Sequence, residues 1–456
     1  FAKNIIAGDS YIFFNIDSSG KKIVLLSKIN DDLKHIEKIN EININNNKYV
    51  NFKYNIDNNE MLTIEITKDL DSIMAFFSKK DIQKIILKTD IGNKNIITRW
   101  KGWNGCLKML NNPIFHGFQL LNINNNEKVI HIYASHNAYF VNKIDTIPLG
   151  TKLIVHEGAI ILFSENGGFL VNGEIEAKGT INKPIYFMPI DSTKRWKNIT
   201  LFKYYIPNKN DSINKSFFSY CVFINGSGRD TRIENNNIVF SKKTTRGGAL
   251  LVFDHQIEVM NSCFLNNYAA EGGAIYDRIG YTTIISKNLF YNNKSIYEAD
   301  SIHHMPAGGA IFLRAEKDEE IRNFILNNTF ISNGSLKPNN PLFTGGAVYL
   351  GVWSTNELCE NVFYNNNAEF TAGCIYSASY KDKYSDSATI YSTLINENLF
   401  YKNILQRIDG GDDFQIGGGV AVCIDDSNAD VRMLYNGFSD KSIGNKTKQT
   451  MMGGVF

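Results

Sequence analysis

The 456-residue chain is about two to three times as long as a typical domain, so it forms either several domains or one elongated repeat array. Its 35 glycines against 8 prolines, with 30 phenylalanines and 22 tyrosines, are typical of an all-β protein rich in tight turns. The formal net charge of +2 excludes a field strong enough for general binding to nucleic acid, and no apolar run is long enough for a membrane-spanning helix.

Residues 1–95 carry several alternating apolar and polar runs, including Tyr11 to Ile16 and Met61 to Ile66. Such alternation predicts half-buried strands. The repeated anchors found later in the chain are missing here, so we expect an N-terminal, mostly β cap or accessory domain. Residues 96–456 are predicted to form a second domain, whose first coils, to about residue 145, are irregular.

Short strands follow one another closely from Gly150 to Ile199. Each is ended by a glycine after about four to six residues, which predicts successive faces of a coil and not hairpins.

Two anchors alternate along the rest of the chain. The first is one glycine or two, followed by small and β-branched residues, at Gly247, Gly272, Gly308, Gly345, Gly373, Gly418 and Gly453. The second is a phenylalanine with Asn or Ser close behind it, at Phe264, Phe290, Phe330, Phe363, Phe400 and Phe438. A repeat of about 25 to 45 residues with fixed anchors predicts a solenoid of stacked coils. The fold class is therefore expected to be all-β, a right-handed parallel β-helix.

Each anchor has a physical role in such a stack. Phenylalanines at one place in every coil pack as an aromatic column, and asparagines at a corner adopt the left-handed conformation and hydrogen-bond their equivalents. Gly-Gly permits a sharp re-entry into the next strand. The variable length between Phe and Gly-Gly predicts loops that leave one corner of each coil. Because a terminal coil has an open edge, we expect the stack to continue beyond Phe456.

The order of these short strands resembles a known class of proteins. The segment from Leu153 to Ile199, with its pattern L-x-V-x-x-G-x-I-x-F and later G-T, P-I-x-F and W-x-x-I, resembles the opening coils of bacterial surface proteins with pectin-lyase-like β-helices. The repeated F-x-x-N and G-G-A-[ILV] pairs are similar to the passenger repeats of chlamydial polymorphic outer membrane proteins. The two resemblances together cover about residues 146 to 456, and they imply an extracellular or cell-surface location.

Catalytic interpretations are weaker than structural ones. Asp412 and Asp413 are adjacent, and adjacent strand residues point to opposite faces, so this pair is expected to be solvated turn residues. The segment from Val252 to His255, in which Asp precedes His, resembles part of the pectate lyases, but the Arg-x-Pro-x-x-Arg element that would supply their catalytic base is absent. Asp254 and His255 are therefore expected to point outward at a strand end. The pair His303 and His304 has no third ligand at a recognisable spacing. We therefore assign no catalytic residue, no metal and no cofactor.

Other sequence features leave alternatives open. Six scattered cysteines form no CxxC pair, so most are expected to be small core residues, although disulfides are not excluded. The sequons at Asn198 and Asn333 are expected by chance in a chain so rich in Asn.

The variable insertions are the better functional candidates, because binding residues concentrate on loops of rigid scaffolds. Aromatic and charged residues on or near them are predicted to contact a glycan or surface-protein partner: Tyr297, Trp353, Tyr380, Tyr384, Arg407, Asp409, Asp412 and Asp413. The sequence thus favours a secreted or cell-surface scaffold for adhesion, for envelope or matrix structure, or for ligand binding. The alternatives are a polysaccharide lyase or glycoside hydrolase on the same fold, and a viral tail-fibre or tailspike protein, which would be trimeric. The oligomeric state is open.

Overall fold

The structure is a computed structural model of the chain. It describes residues 10–438 except for the following segments: 18–19, 30–32, 34, 45–46, 57–60, 68–81, 103–108, 124–126, 203–213, 235–236, 280, 297–306, 316–320, 336–344, 352–353, 369–372, 380–390, 406–419, 425–428 and 435–436. Among the residues described, no helix is both long and apolar enough to cross a membrane.

The N-terminal part is one eight-stranded sheet. Its strands are β1 Ser10–Asp17, β2 Gly20–Lys28, β3 Ile39–Ile44, β4 Asn47–Tyr49, β5 Phe52–Ile56, β6 Met61–Thr67, β7 Ile82–Thr89 and β8 Gly92–Trp100. They lie in the order β4-β3-β7-β8-β1-β2-β6-β5, antiparallel except for β1 beside β8. Only residues 50 and 51 separate β4 from β5, so the two ends of the sheet lie within about 11 Å of each other. The sheet therefore curls into a barrel-like shape.

The remaining strands build the stack. Its first part comprises β9 Gly117–Leu120, β10 Val129–Ile132, β11 Asn137–Val141, β12 Ile144–Ile147, β13 Lys152–His156, β14 Ile160–Phe163, β15 Gly168–Val171, β16 Glu174–Lys178, β17 Ile185–Pro189, β18 Trp196–Lys197, β19 Ile199–Phe202, β20 Lys215–Ser219, β21 Cys221–Ile224 and β22 Gly226–Ser227. An antiparallel hairpin follows, formed by β23 Arg229–Glu234 and β24 Asn237–Arg246.

The second part of the stack is more regular. It comprises β25 Leu250–Phe253, β26 Gln256–Met260, β27 Cys263–Leu265, β28 Tyr268–Ala269, β29 Ile275–Ile279, β30 Thr283–Ser286, β31 Leu289–Tyr291, β32 Lys294–Ser295, β33 Ile311–Ala315, β34 Arg322–Leu326, β35 Thr329–Ile331, β36 Gly334–Ser335, β37 Val348–Leu350, β38 Thr355–Cys359, β39 Val362–Tyr364, β40 Asn367–Ala368, β41 Ile375–Ser379, β42 Tyr391–Asn396, β43 Leu399–Tyr401, β44 Ile404–Leu405, β45 Val420–Ile424, β46 Ala429–Leu434 and β47 Gly437–Phe438.

These strands form four long parallel sheets, which we number in the order in which each regular coil visits them. Sheet 1 contains β10, β13, β16, β20, β26, β30, β34, β38, β42 and β46. Sheet 2 contains β9, β11, β14, β17, β21, β27, β31, β35, β39, β43 and β47. Sheet 3 contains β18, β22, β28, β32, β36, β40 and β44, and sheet 4 contains β12, β15, β19, β25, β29, β33, β37, β41 and β45. This arrangement confirms the predicted all-β class and the parallel β-helix.

The predicted aromatic column lies inside sheet 2. Phe264, Phe290, Phe330, Phe363 and Phe400 are fully buried, and neighbouring rings stack with centroids 4.8 to 4.9 Å apart. That spacing equals the distance between strands, so each coil places the same ring on top of the last.

Two consecutive asparagines divide the corner role that the sequence assigned to one. Asn292, at the corner between sheets 2 and 3, has φ 53°. The next residue, Asn293, is buried, and its Nδ2 donates to Oδ1 of Asn333 in the following coil at 3.0 Å. The first residue therefore turns the chain and the second ties the coils together.

A second buried ladder runs along the corner between sheets 1 and 2. There Asn288 Nδ2 donates to Asn328 Oδ1 at 3.0 Å, and Asn328 Nδ2 donates to Asn361 Oδ1 at 3.1 Å. This ladder was missed in the sequence, although each member stands two residues before a column phenylalanine.

The Gly-Gly anchor behaves as predicted. Gly272 has φ +64°, and a Cβ on Gly273 would lie 2.1 Å from the carbonyl oxygen of Gly309 in the next coil. The first glycine supplies a left-handed turn and the second allows close backbone approach.

The N-terminal sheet lies against the outside of sheet 2. The ring of Phe13 is 5.7 Å from that of Tyr364, and Thr63 Oγ1 is 3.0 Å from the Tyr401 hydroxyl. Between this sheet and β9 the chain runs along the same face, where the Tyr186 hydroxyl donates to the carbonyl oxygen of Asn111 at 2.9 Å. The predicted boundary after residue 95 falls within β8, and the division into two domains stays a prediction.

Candidate functional site

All eight residues predicted to contact a partner lie outside the described residues, but the strands that flank them are described. Tyr297 follows β32, while Arg407, Asp409, Asp412 and Asp413 follow β44, so these five enter from the corner between sheets 3 and 4. Trp353 follows β37, and Tyr380 and Tyr384 follow β41, so these three leave from the corner between sheets 4 and 1. The insertions therefore use two corners, which both border sheet 4, so the expectation of a single corner is wrong.

The outer face of sheet 4 between these borders carries an aromatic column. Tyr276, Phe312, Tyr349 and Tyr376 stand in register on successive strands. Their rings stack with centroids 5.1, 4.4 and 5.1 Å apart. Alternation along a strand puts these rings outside, because the neighbouring positions Ile275 and Ile311 fill the interior. Tyr276, Phe312 and Tyr376 are nonetheless buried, and Tyr349 is half-buried.

An ion pair sits beside the first ring of this column. Arg246 Nε lies 2.7 Å from Glu271 Oε2, and the Arg246 guanidinium is 5.3 Å from the Tyr276 ring centroid. Burial is the main reason that the pKa of Tyr276 is raised to about 12, and the negative charge of Glu271 also raises it. Arg246 is the last residue of the β23–β24 hairpin, so its contacts with Glu271 and Tyr276 hold the end of this hairpin against the outer face of sheet 4.

Two arginines form a neighbouring column on the same face. Arg278 and Arg314 are in register on β29 and β33. Arg314 is exposed and Arg278 is half-buried. Because adjacent strands are about 4.8 Å apart, two arginines in register form a local positive charge that attracts carboxylate, sulfate or phosphate groups.

His255 does not point outward, so the expectation is wrong for this residue, whereas Asp254 is half-buried. His255 is buried, and its Nε2 lies 2.8 Å from Ser216 Oγ inside the stack. Burial raises the pKa of Asp254, and the charge of Arg278 lowers it. Because Ser216 and His255 are both closed off from solvent, their contact is structural.

A buried carboxyl group stands in the next coil. Asp277 is fully buried, and its Oδ2 accepts a hydrogen bond from Thr283 Oγ1 at 2.5 Å, while its Oδ1 has no hydrogen-bond partner. Burial raises the pKa of Asp277 to about 8. Its neighbours in the same interior column are Val252 and Leu313, so this carboxyl group has no route to a substrate.

The outer face of sheet 1 holds carboxylates that are already paired. Glu176 contacts Lys152 at 2.5 Å and Lys178 at 2.6 Å, and Lys215 Nζ lies 2.9 Å from Glu258 Oε2. Hydrogen bonds from Lys152 and Lys178 lower the pKa of Glu176. A carboxylate held ionised in this way is unsuited to act as a general acid.

Three of the cysteines and the first of the two sequons lie in the described interior. Cys221, Cys263 and Cys374 are buried and form no disulfide, as predicted for core residues. Asn198 is buried with its amide donating to the carbonyl oxygens of Arg246 and Gly247. Among the described residues, no three His, Cys, Asp or Glu side chains are placed to hold a metal ion.

No protein-family model, curated protein or solved structure matches the chain. The face of sheet 4 and its two borders therefore stand as the candidate site on their own chemistry. The sequence predicted the bordering insertions but not the aromatic column on the sheet 4 face between them, which we call the floor of the site. The signal was present, since an aromatic residue follows the Ile or Val after each of four glycine anchors, at Tyr276, Phe312, Tyr349 and Tyr376.

Proposed function

We propose that the chain is a secreted or cell-surface scaffold of the right-handed, pectin-lyase-like type, which binds a glycan or protein partner for adhesion or for envelope or matrix structure. The observation that carries this proposal is positional. The described strands that precede all eight predicted contact residues in the sequence end at the two borders of one sheet face. A rigid floor with variable loops on both sides is the usual arrangement of a binding surface on a solenoid.

Three carboxyl groups described above, those of Asp277, Glu176 and Glu258, favour binding over catalysis. Glycoside hydrolysis needs two carboxyl groups about 5 to 9.5 Å apart, with one able to donate a proton. Asp277 is enclosed in the stack, and Glu176 and Glu258 are held by lysines on the sheet 1 face. These groups therefore supply neither a free acid nor an accessible nucleophile.

The charge on the sheet 4 face indicates the chemistry of the partner. The exposed Arg314, in register with Arg278, favours a ligand with acidic groups, such as a uronate-containing or sulfated glycan or an acidic protein segment. Tyrosine and tryptophan on the bordering insertions suit contacts with sugar rings and with peptides alike.

The proposal is tested by binding and product assays on the same ligands. The full chain is applied to an array of neutral and acidic glycans, and the positive ligands are titrated by calorimetry. The variants are Tyr380→Ser with Tyr384→Ser for one border, Arg407→Ser for the other and Arg314→Ser for the floor. The matched control is Lys215→Ser, because Lys215 lies on the outer face of sheet 1.

We expect each sheet 4 variant to weaken binding about tenfold or more, and Lys215→Ser to leave it unchanged. No new reducing ends or unsaturated sugars should appear when the ligand is incubated with the chain. Ligand cleavage would show an enzyme instead of a scaffold, and binding that only Lys215→Ser weakens would move the site to sheet 1.

A further inference from the structure

The large hydrophobic side chains that are exposed on the stack concentrate at its first coil. Seven of them fall between residues 114 and 149: Ile114, Phe115, Phe118, Leu120, Val129, Tyr133 and Leu149. Phe118, Leu120 and Tyr133 are 56%, 66% and 55% exposed. Among the residues after Ile190 whose side-chain exposure the structure describes, no hydrophobic residue of this size is exposed to a comparable degree. The first coil is therefore unlike every later described coil.

The exposed residues continue a column that is covered elsewhere. Leu120 on β9 is in register with Phe140, and Phe140 with Leu162, on the outer face of sheet 2. Leu162 is buried in the same cluster as Phe13 of the N-terminal sheet. Phe118 packs edge-on against Phe140 with ring centroids 5.2 Å apart. The apolar column on the outer face of sheet 2 thus extends beyond the part that the N-terminal sheet covers, and its residues in the first coil are exposed.

Three of the four described strands between residues 114 and 149 are also edge strands. Among the described strands, β9, β10 and β12 each stand at the end of their sheet. Natural edge strands are usually protected by charged residues, and by lysine above all. Of these three strands, β12 (IDTI) carries Asp145, whereas β9 (GFQL) and β10 (VIHI) contain no Asp, Glu, Lys or Arg. An unprotected apolar edge of this kind is a template for pairing with another strand.

The exposed side chains are not the open end of the core. Leu121, Ile123 and Tyr139 are partly buried and pack against the interior cluster. The interior residues Ile132 and Ile147 of this coil are fully buried. The end of the stack is therefore closed, and the exposed groups belong to its outside.

We propose that the first coil is a self-association surface, on which a second copy of the chain pairs its β9 antiparallel with β9 about a two-fold axis. Identical apolar edges are self-complementary in such an arrangement, because each chain supplies a strand beside β9, where no described strand of the other chain lies. The absence of formal charge on β9 and β10 and the net charge of +2 for the whole chain leave little repulsion to prevent it.

The first test measures the mass of the full chain in solution by light scattering and sedimentation over a range of concentrations. We expect a concentration-dependent dimer, and about a tenfold or greater loss of association for Phe118→Lys. The control is Ile97→Lys, because Ile97 is a similarly exposed hydrophobic residue, 67% exposed, on the N-terminal sheet. A wild-type chain that is monomeric at every concentration would overturn the proposal, as would a Phe118→Lys dimer as tight as the wild type.

A charge swap tests the two-fold arrangement. Phe118→Lys and Phe118→Glu should each be monomeric alone, and a mixture of the two should form a mixed dimer, since position 118 lies close to its own copy across the axis. Head-to-tail association would place Phe118 against a different surface, so mixing would not restore the dimer. Circular dichroism that matches the wild type shows that each variant is folded.

Discussion

The buried ladder at the corner between sheets 2 and 3 makes a sharp prediction for Asn366. Its Nδ2 donates to the carbonyl oxygen of Phe330 at 3.1 Å and to Asn403 Oδ1 at 3.0 Å. Its Oδ1 accepts hydrogen bonds from the backbone nitrogen and from Nδ2 of Asn333, both at 3.0 Å. Asn366→Ala removes all of these contacts from a site that is closed to water.

The expected cost follows from these contacts. A hydrogen bond contributes about 1 kcal/mol net to stability, and a buried group left without a partner costs about 1 to 3 kcal/mol. With its hydrogen bonds to Phe330, Asn403 and Asn333 all lost, Asn366→Ala should lower the free energy of unfolding by about 4 kcal/mol. The ladder residues on either side become less well tied, so the loss should extend to the adjacent coils.

Asn365 provides the matched control. It is exposed, it has φ 53°, and its Nδ2 donates to Ser332 Oγ at 3.1 Å. Asn365→Gly keeps a residue that tolerates this backbone conformation, so it should change stability by less than about 1 kcal/mol. Urea unfolding followed by far-ultraviolet circular dichroism compares the two variants. If Asn366→Ala is no more destabilising than Asn365→Gly, the ladder does not hold the coils together.

Three further outcomes are expected. Asp277 has a folded pKa of about 8, above its unfolded value of about 3.9, so the free energy of unfolding should fall as the pH rises between these two values. The urea concentration at the unfolding midpoint should therefore decrease over this pH range for the wild type, and Asp277→Asn should abolish the decrease. Gly273→Ala should destabilise the stack by about 3 kcal/mol or more, because its Cβ would overlap the Gly309 carbonyl oxygen; a thermal melt like that of the wild type would contradict this. Phe330→Leu should lower the free energy of unfolding in urea by about 2 kcal/mol, because the ring stacks on two neighbours, Phe290 and Phe363. An unchanged free energy of unfolding would show that aromatic stacking in the column adds no stability beyond the volume that the rings fill.

The periodic part of the fold was readable from the sequence because each coil repeats the same packing problem. Phe290 and Gly272 recur with fixed neighbours, and the structure gives them the predicted stacked and left-handed positions. The ladder through Asn288 was equally periodic but was hidden, since Asn is common throughout the chain and no single residue marks its burial.

Features that depend on contacts distant in sequence were not readable. The inward turn of His255 depends on Ser216 in the preceding coil, and the position of the N-terminal sheet depends on contacts such as that of Phe13 with Tyr364. The aromatic floor of sheet 4 could be recognised only from the register of β29, β33, β37 and β41, and the repeated sequence anchors do not give that register.

The spacing of the two asparagine ladders has a consequence for engineering. Asn288 and Asn293 flank one strand of sheet 2, and the pairs Asn328 with Asn333, Asn361 with Asn366 and Asn398 with Asn403 repeat that separation unchanged. This side of the coil tolerates no change of length, because one added residue would dislocate both ladders. The borders of sheet 4 already vary freely in length. The molecule is thus divided into a fixed spine and an exchangeable rim, and foreign peptides grafted at the rim should leave the coil register intact.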